Sequence, residues 1–181
     1  MKYEFTLDEQ DYLENCLFLA SNSKIYKKRK LASRLILPIL YIGLGLYMLS
    51  ENDVVFATIF LAFSFLWFLF SPALTRNRYK KFYRKTITES YSKRLGRIST
   101  FEIESTDFLM TEEKNVSRIS LKDLESVNEL AKYFILKLQI GSTIILPKDK
   151  INNLSELKKE LKDLAQVQNV PFNEELNWKF R

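Results

Sequence analysis

Two uncharged apolar runs, 35–50 and 54–75, stand back to back around the acidic turn Glu51-Asn52-Asp53. As helices they would measure about 24 and 33 Å, against a bilayer hydrocarbon core of about 30 Å. Adding Leu31-Ala32-Ser33 and letting the long side chain of Arg34 reach back to the interface closes the shortfall of the first. The spacing therefore predicts a transmembrane hairpin with spans at 31–50 and 54–75. Pro38 falls near one end of the first span, where a kink costs least, and Gly43 and Gly45 offer close approach to the second helix. Trp67 and the Phe-rich stretch 63–70 read as lipid-facing and interhelical packing rather than a ligand cage.

Charge gives the hairpin a direction. Residues 24–97 hold 15 Lys or Arg against three acids, an excess of +12, so the rest of a chain of net charge +6 carries −6. Six bases precede the first run within 11 positions and nine follow the second within 22, while the connecting turn has two acids and no base. By the positive-inside rule both termini are expected in the cytoplasm. A basic excess confined to the borders of apolar spans points to anionic lipid headgroups and away from nucleic acid. The expected headgroup contacts are Lys27, Lys28, Arg29, Lys30 and Arg34 before the hairpin, and Arg76, Arg78, Lys80, Lys81, Arg84 and Lys85 after it. Residues 1–13 lack the apolar core of a signal peptide, so the first span is expected to serve as the insertion signal.

The remaining chain has room for about one further domain. Mean hydropathy over the whole chain is only −0.16, so the apolar residues are concentrated in one block. Residues 1–30 read as a strand, Lys2 to Leu7, and then a helix N-capped by Asp8 with Tyr12, Cys16 and Leu19 on one face. Residues 76–97 keep a helical period through Tyr79, Phe82, Tyr83, Ile87, Tyr91 and Leu95. Tyr79, Phe82 and Tyr83 are the residues that would sit at a membrane interface, and the same stripe would equally pack on the soluble domain. From Ile98 the period changes to two. Strands are expected at 99–104, 108–111, 116–121 and 124–127, followed by a hairpin of 133–140 and 143–146 turning on Gly141-Ser142 with type II′ geometry. A last helix would start near Asn153 with Glu156 completing a capping box, placing Leu157, Leu161 and Leu164 on one face. The tail, 167–181, reads either as a docked strand-like end or as a loose interfacial anchor.

The fold class is thus α+β: a transmembrane helical hairpin and a small antiparallel barrel or sandwich, residues 98–166, capped by a C-terminal helix. With no histidine the chain has no Ser-His or Cys-His nucleophile pair and no His metal site. Four glycines form no phosphate-cradling loop, and the acid pairs Glu112-Glu113 and Glu174-Glu175 lie in polar contexts. The lone Cys16 rules out an internal disulfide and reads as a small buried hydrophobe. Neither span carries an internal ionisable residue, which speaks against a proton relay within one hairpin. Catalysis, a cofactor and a bound metal are not expected.

The order of elements resembles the YcxB-like family of small bacterial membrane proteins. It is carried by Tyr3-Glu4-Phe5-Thr6-Leu7 with Asp11-Tyr12, the basic stretch entering a two-span hairpin, the basic helix leaving it, Ser120-Leu121-Lys122-Asp123-Leu124-Glu125-Ser126-Val127, and Ile145-Leu146-Pro147-Lys148 before the last helix. The resemblance covers residues 2–165. It implies a pleckstrin-homology-like fold for 98–166, a multi-pass place in the bacterial cytoplasmic membrane, and no catalytic residues. Relatives of this kind are sometimes encoded beside secreted antibacterial toxins, which implies a non-enzymatic binding module whose protein partner is a membrane-active toxin. The alternative is a sensor of anionic lipid using the basic helix after the hairpin. Partner identity and oligomeric state are left open.

Overall fold

The computed structural model describes every residue except 1, 93, 114 and 181, so Lys93, counted above among the flanking bases, lies outside the described residues. The chain forms two compact units, one of residues 1–15 and 86–179, the other of 16–85 and 180–181. Its class is α+β.

The strand-rich unit opens with β1 (Lys2–Thr6), which pairs antiparallel with β2 (Ile98–Ile103), followed by β3 (Asp107–Glu112) and β4 (Asn115–Ser120) in one meandering sheet. Alternation in β1 and β2 sends Tyr3, Phe5, Ser99 and Phe101 inward, and Phe101 stacks on Phe108 with ring centroids 5.6 Å apart. After a 3₁₀ turn at Leu121–Asp123 the chain enters a second sheet of β5 (Leu124–Leu130), β6 (Tyr133–Leu138), β7 (Thr143–Pro147) and β8 (Phe172–Glu175). Its order is β7-β6-β5-β8, and β8 lies parallel to β5. The expected barrel is therefore not closed: both edges of β5 are taken, by β6 and β8, which leaves no edge for β4.

Local differences from the expected elements have local causes. The hairpin of β6 and β7 does not turn on two residues. Gln139 donates its N–H to the carbonyl of Asp123 (2.8 Å) and Ile140 is exposed, so the strand stops at Leu138. Gly141 then closes the turn by donating to the Leu138 carbonyl (2.9 Å) at φ 82°, last in the turn rather than first. Helix α1 (Glu9–Asn22) has the expected cap: Asp8 Oδ1 accepts the Asp11 N–H (3.0 Å) and Asp11 Oδ2 accepts that of Asp8 (2.8 Å). Its most covered residues are Leu13, Leu17 and Phe18, with Cys16 and Leu19 only half-buried.

Two long helices follow, α2 (Lys24–Ser50) and α3 (Val54–Ser90), and both are long and apolar enough to cross a membrane. The helix expected over 76–97 is the distal part of α3; it ends at Ser90, and Leu95 lies in a turn. Helix α4 (Leu154–Val167) buries Leu157, Leu161 and Leu164 as their spacing requires. It lacks the expected capping box. Asn153 adopts a left-handed φ of 60° and gives no side-chain cap; its carbonyl accepts the N–H groups of Glu156 and Leu157 instead (both 3.1 Å).

Candidate functional site

Helices α2 and α3 run antiparallel, and their seam follows from small and polar residues placed at helical intervals. Gly45 lies against Leu61 and Ala57, where an added Cβ would come within 3.1 Å of Leu61 Cγ; Gly43 has nothing within 4 Å, so only one of the two expected glycines serves close approach. Ser64 Oγ donates to the Pro38 carbonyl (3.2 Å), and Trp67 Nε1 donates to that of Ser33 (3.2 Å). Ala57, Ser64 and Ser71, seven residues apart, are the most buried residues of the apolar part of α3. Such a spacing keeps small side chains along one seam. The outward positions are large and apolar: Ile36, Ile39, Leu46, Val55, Phe56, Phe63, Phe65 and Phe70 are all exposed.

Antiparallel pairing puts both basic segments at one end. Lys27, Lys28 and Arg29 on α2 are exposed, as are Arg76, Arg78, Lys81, Arg84 and Lys85 on α3, while Lys30, Arg34 and Lys80 are half-buried. Among the described residues, no carboxylate pairs with Lys27, Lys28, Arg29, Arg34, Arg76, Arg78, Lys80 or Lys81. Their charge is therefore available to an anionic partner. Of the three aromatics expected at a membrane interface, Phe82 is well exposed at 63 %, and Tyr79 and Tyr83 are half-buried.

Sequence reasoning did not single out Tyr26, and for Phe180, with Phe172 and Trp178 an aromatic of the tail, it left docking and loose anchoring open. The Tyr26 ring meets Tyr79 edge-on with centroids 4.7 Å apart and Phe180 at 5.4 Å, so the C-terminal Phe180 is docked rather than loose. Burial, reinforced by the neighbouring Tyr79 and Tyr83, pushes the Tyr26 hydroxyl pKa up. Nothing in the sequence connects positions 26 and 180; the seven-residue spacing of Ala57, Ser64 and Ser71, by contrast, was there to be read.

The strand-rich unit concentrates its buried charge in two networks. Glu129 on β5 receives Lys148 Nζ and Lys158 Nζ, each at 2.8 Å, and Lys158 and Lys162 also meet Glu174 (3.6 and 2.8 Å). Asp11 accepts from Tyr133 Oη (3.0 Å) and Lys150 Nζ (2.6 Å), and Lys150 also reaches Asp8 (2.8 Å). Burial, with the Asp11 charge beside it, holds the Tyr133 phenol well above its usual pKa. Burial and the Glu112 charge push Tyr12 up to about 12. Each acid here is matched by a base, an arrangement that joins elements. Burial likewise raises the Cys16 thiol above its ordinary value, opposite to what an activated nucleophile requires. Among the described residues no three His, Cys, Asp or Glu are grouped to hold a metal ion.

No protein-family model matches the chain, and no curated protein matches it.

Proposed function

We propose that the protein is a membrane-anchored binding module whose α2–α3 hairpin spans a lipid bilayer and whose basic end lies among anionic headgroups on the cytoplasmic side. The observation that carries this reading is the pairing of a helical hairpin whose large apolar side chains face outward with a belt of Lys and Arg at one end of it, of which Lys27, Lys28, Arg29, Arg34, Arg76, Arg78, Lys80 and Lys81 meet no carboxylate among the described residues. In water such a surface is a severe liability; in a bilayer it is the solvent-matched face. Each base near an anionic surface adds about 1 kcal/mol, so the belt both orients and retains the chain. Alkaline carbonate washing of membranes from expressing cells tests the anchor: the chain should remain in the pellet and leave only with detergent. Release by carbonate alone would contradict it.

A second reading, a protein partner, is favoured by β4. This strand ends its sheet, so one row of its backbone N–H and C=O groups is unpaired in the sheet and open to strand addition. Six strands, β2 to β7, followed by the amphipathic α4 support a pleckstrin-homology-like reading of residues 98–166, and the YcxB-like resemblance makes a membrane-active toxin the partner to try first. Co-expression with a toxin encoded beside the gene should raise survival; unchanged killing would contradict the protective role.

A further inference from the structure

We propose that Arg34, Ser33, Ser71 and Thr75 form a site for a phosphate oxyanion, the chemistry shared by a phospholipid headgroup and free phosphate. The proposal rests on the hairpin reading and gives one base of the belt a ligand of its own. The Arg34 guanidinium lies over the Phe68 ring, 4.1 Å from its centroid. One face of the fork is thus held by the ring while its N–H edge stays available. Its Nε is buried with no hydrogen-bond acceptor among the described residues, and no carboxylate pairs with it.

The surroundings supply hydroxyls and no acid. Phe68, Ser71 and Thr75 share one face of α3, being three and four residues apart. Ser71 is only 3 % exposed, and its Oγ has no partner. Ser33 Oγ, next to Arg34 in sequence on the facing helix, donates to the Lys30 carbonyl (3.0 Å) and lies 3.5 Å from Thr75 Oγ1. A planar cation with an unmet donor, on a hairpin that also brings an unpartnered Ser71 hydroxyl to the face carrying Phe68 and Thr75, suits an oxyanion and repels a metal ion. Its position at the edge of the apolar span is the depth at which lipid phosphates lie. An arginine that merely reached toward water would be replaceable by lysine; a stacked fork would not.

The test uses the full-length chain in neutral maltoside micelles with Trp178→Phe, leaving Trp67, bonded to the Ser33 carbonyl, as the fluorescent reporter. It is titrated with phosphatidylglycerol, with diacylglycerol of the same acyl chains, and with inorganic phosphate. Phosphatidylglycerol should change the Trp67 signal saturably and diacylglycerol should not. Arg34→Lys should weaken the apparent affinity about tenfold, the loss of one bidentate contact. Phe68→Leu, which keeps the charge and removes the ring, should weaken it about threefold. Saturation by inorganic phosphate would identify the source as free phosphate; no response to it would identify the lipid. Equal responses to diacylglycerol, or an Arg34→Lys titration identical to the parent, would overturn the site. Carbonate extraction of the same variants separates the two readings, since an anchored chain with an unshifted Arg34→Lys loses the site alone.

Discussion

Glu129 shows how one residue joins the strand-rich unit together and how its chemistry sets a pH limit. Burial alone would raise its pKa, but the donors Lys148 and Lys158 outweigh that and hold it below its ordinary 4.5. Asp8 is likewise held below 3.8, burial being overcome by Lys150 and by the Asp11 N–H. Because these folded carboxyls titrate below their unfolded values, their stabilisation is complete above about pH 5 and drains away as pH falls through the folded values. Lys150 is shifted the other way, its pairing with Asp11 and Asp8 outweighing burial. Its contribution is whole below 10.5 and is lost only as pH rises through a value above that. Denaturant midpoints followed by Trp178 fluorescence should therefore be flat near neutrality and fall on acidification below about pH 4.5. Lys148→Met removes one of the two donors to Glu129 and should cost about 1–3 kcal/mol at pH 7, with a shallower acid limb. An unchanged acid limb would mean that Lys148 does not set the Glu129 titration.

Elements were legible where one physical signal dominated. Uninterrupted apolar runs, period-two alternation and the Leu157, Leu161, Leu164 spacing marked α2, α3, β1 to β4 and α4. What escaped depended on tertiary choice. The end of β6 at Leu138 is decided by the Asp123 carbonyl taking Gln139, and the pairing of β8 with β5 is a parallel match between segments some 45 residues apart (Asn128 with Asn173). Such partners leave no local pattern. The belt of bases was visible in full, but its internal order was not, because the stacking of Arg34 on Phe68 depends on the register of the hairpin. That register can be tested at Gly45. Gly45→Leu forces a side chain into Leu61 and the Ala57 carbonyl and should weaken α2–α3 pairing by about 1–3 kcal/mol. Gly43→Leu, pointing into open space, should have no effect. The readout is the sodium dodecyl sulfate fraction needed to separate a cross-linkable cysteine pair on the two helices. Equal sensitivity of the two variants would contradict the register.

At the scale of the whole molecule, one chain carries two solvent requirements. The strand-rich unit buries its aromatic and aliphatic residues and matches its buried charges, as a water-exposed fold must. The hairpin turns its large apolar residues outward and keeps small ones inside, the pattern suited to lipid. The proposed anchor follows from that contrast and from the one-sided belt of bases. Its most direct test is the sidedness of single cysteines in a Cys16→Ser background, labelled in intact bacterial cells with a maleimide that does not cross membranes. Asn52→Cys, in the turn between the two helices, should react from outside, and Ser90→Cys, at the end of α3, should react only after the cells are broken. Labelling of both from the same side would contradict a spanning hairpin.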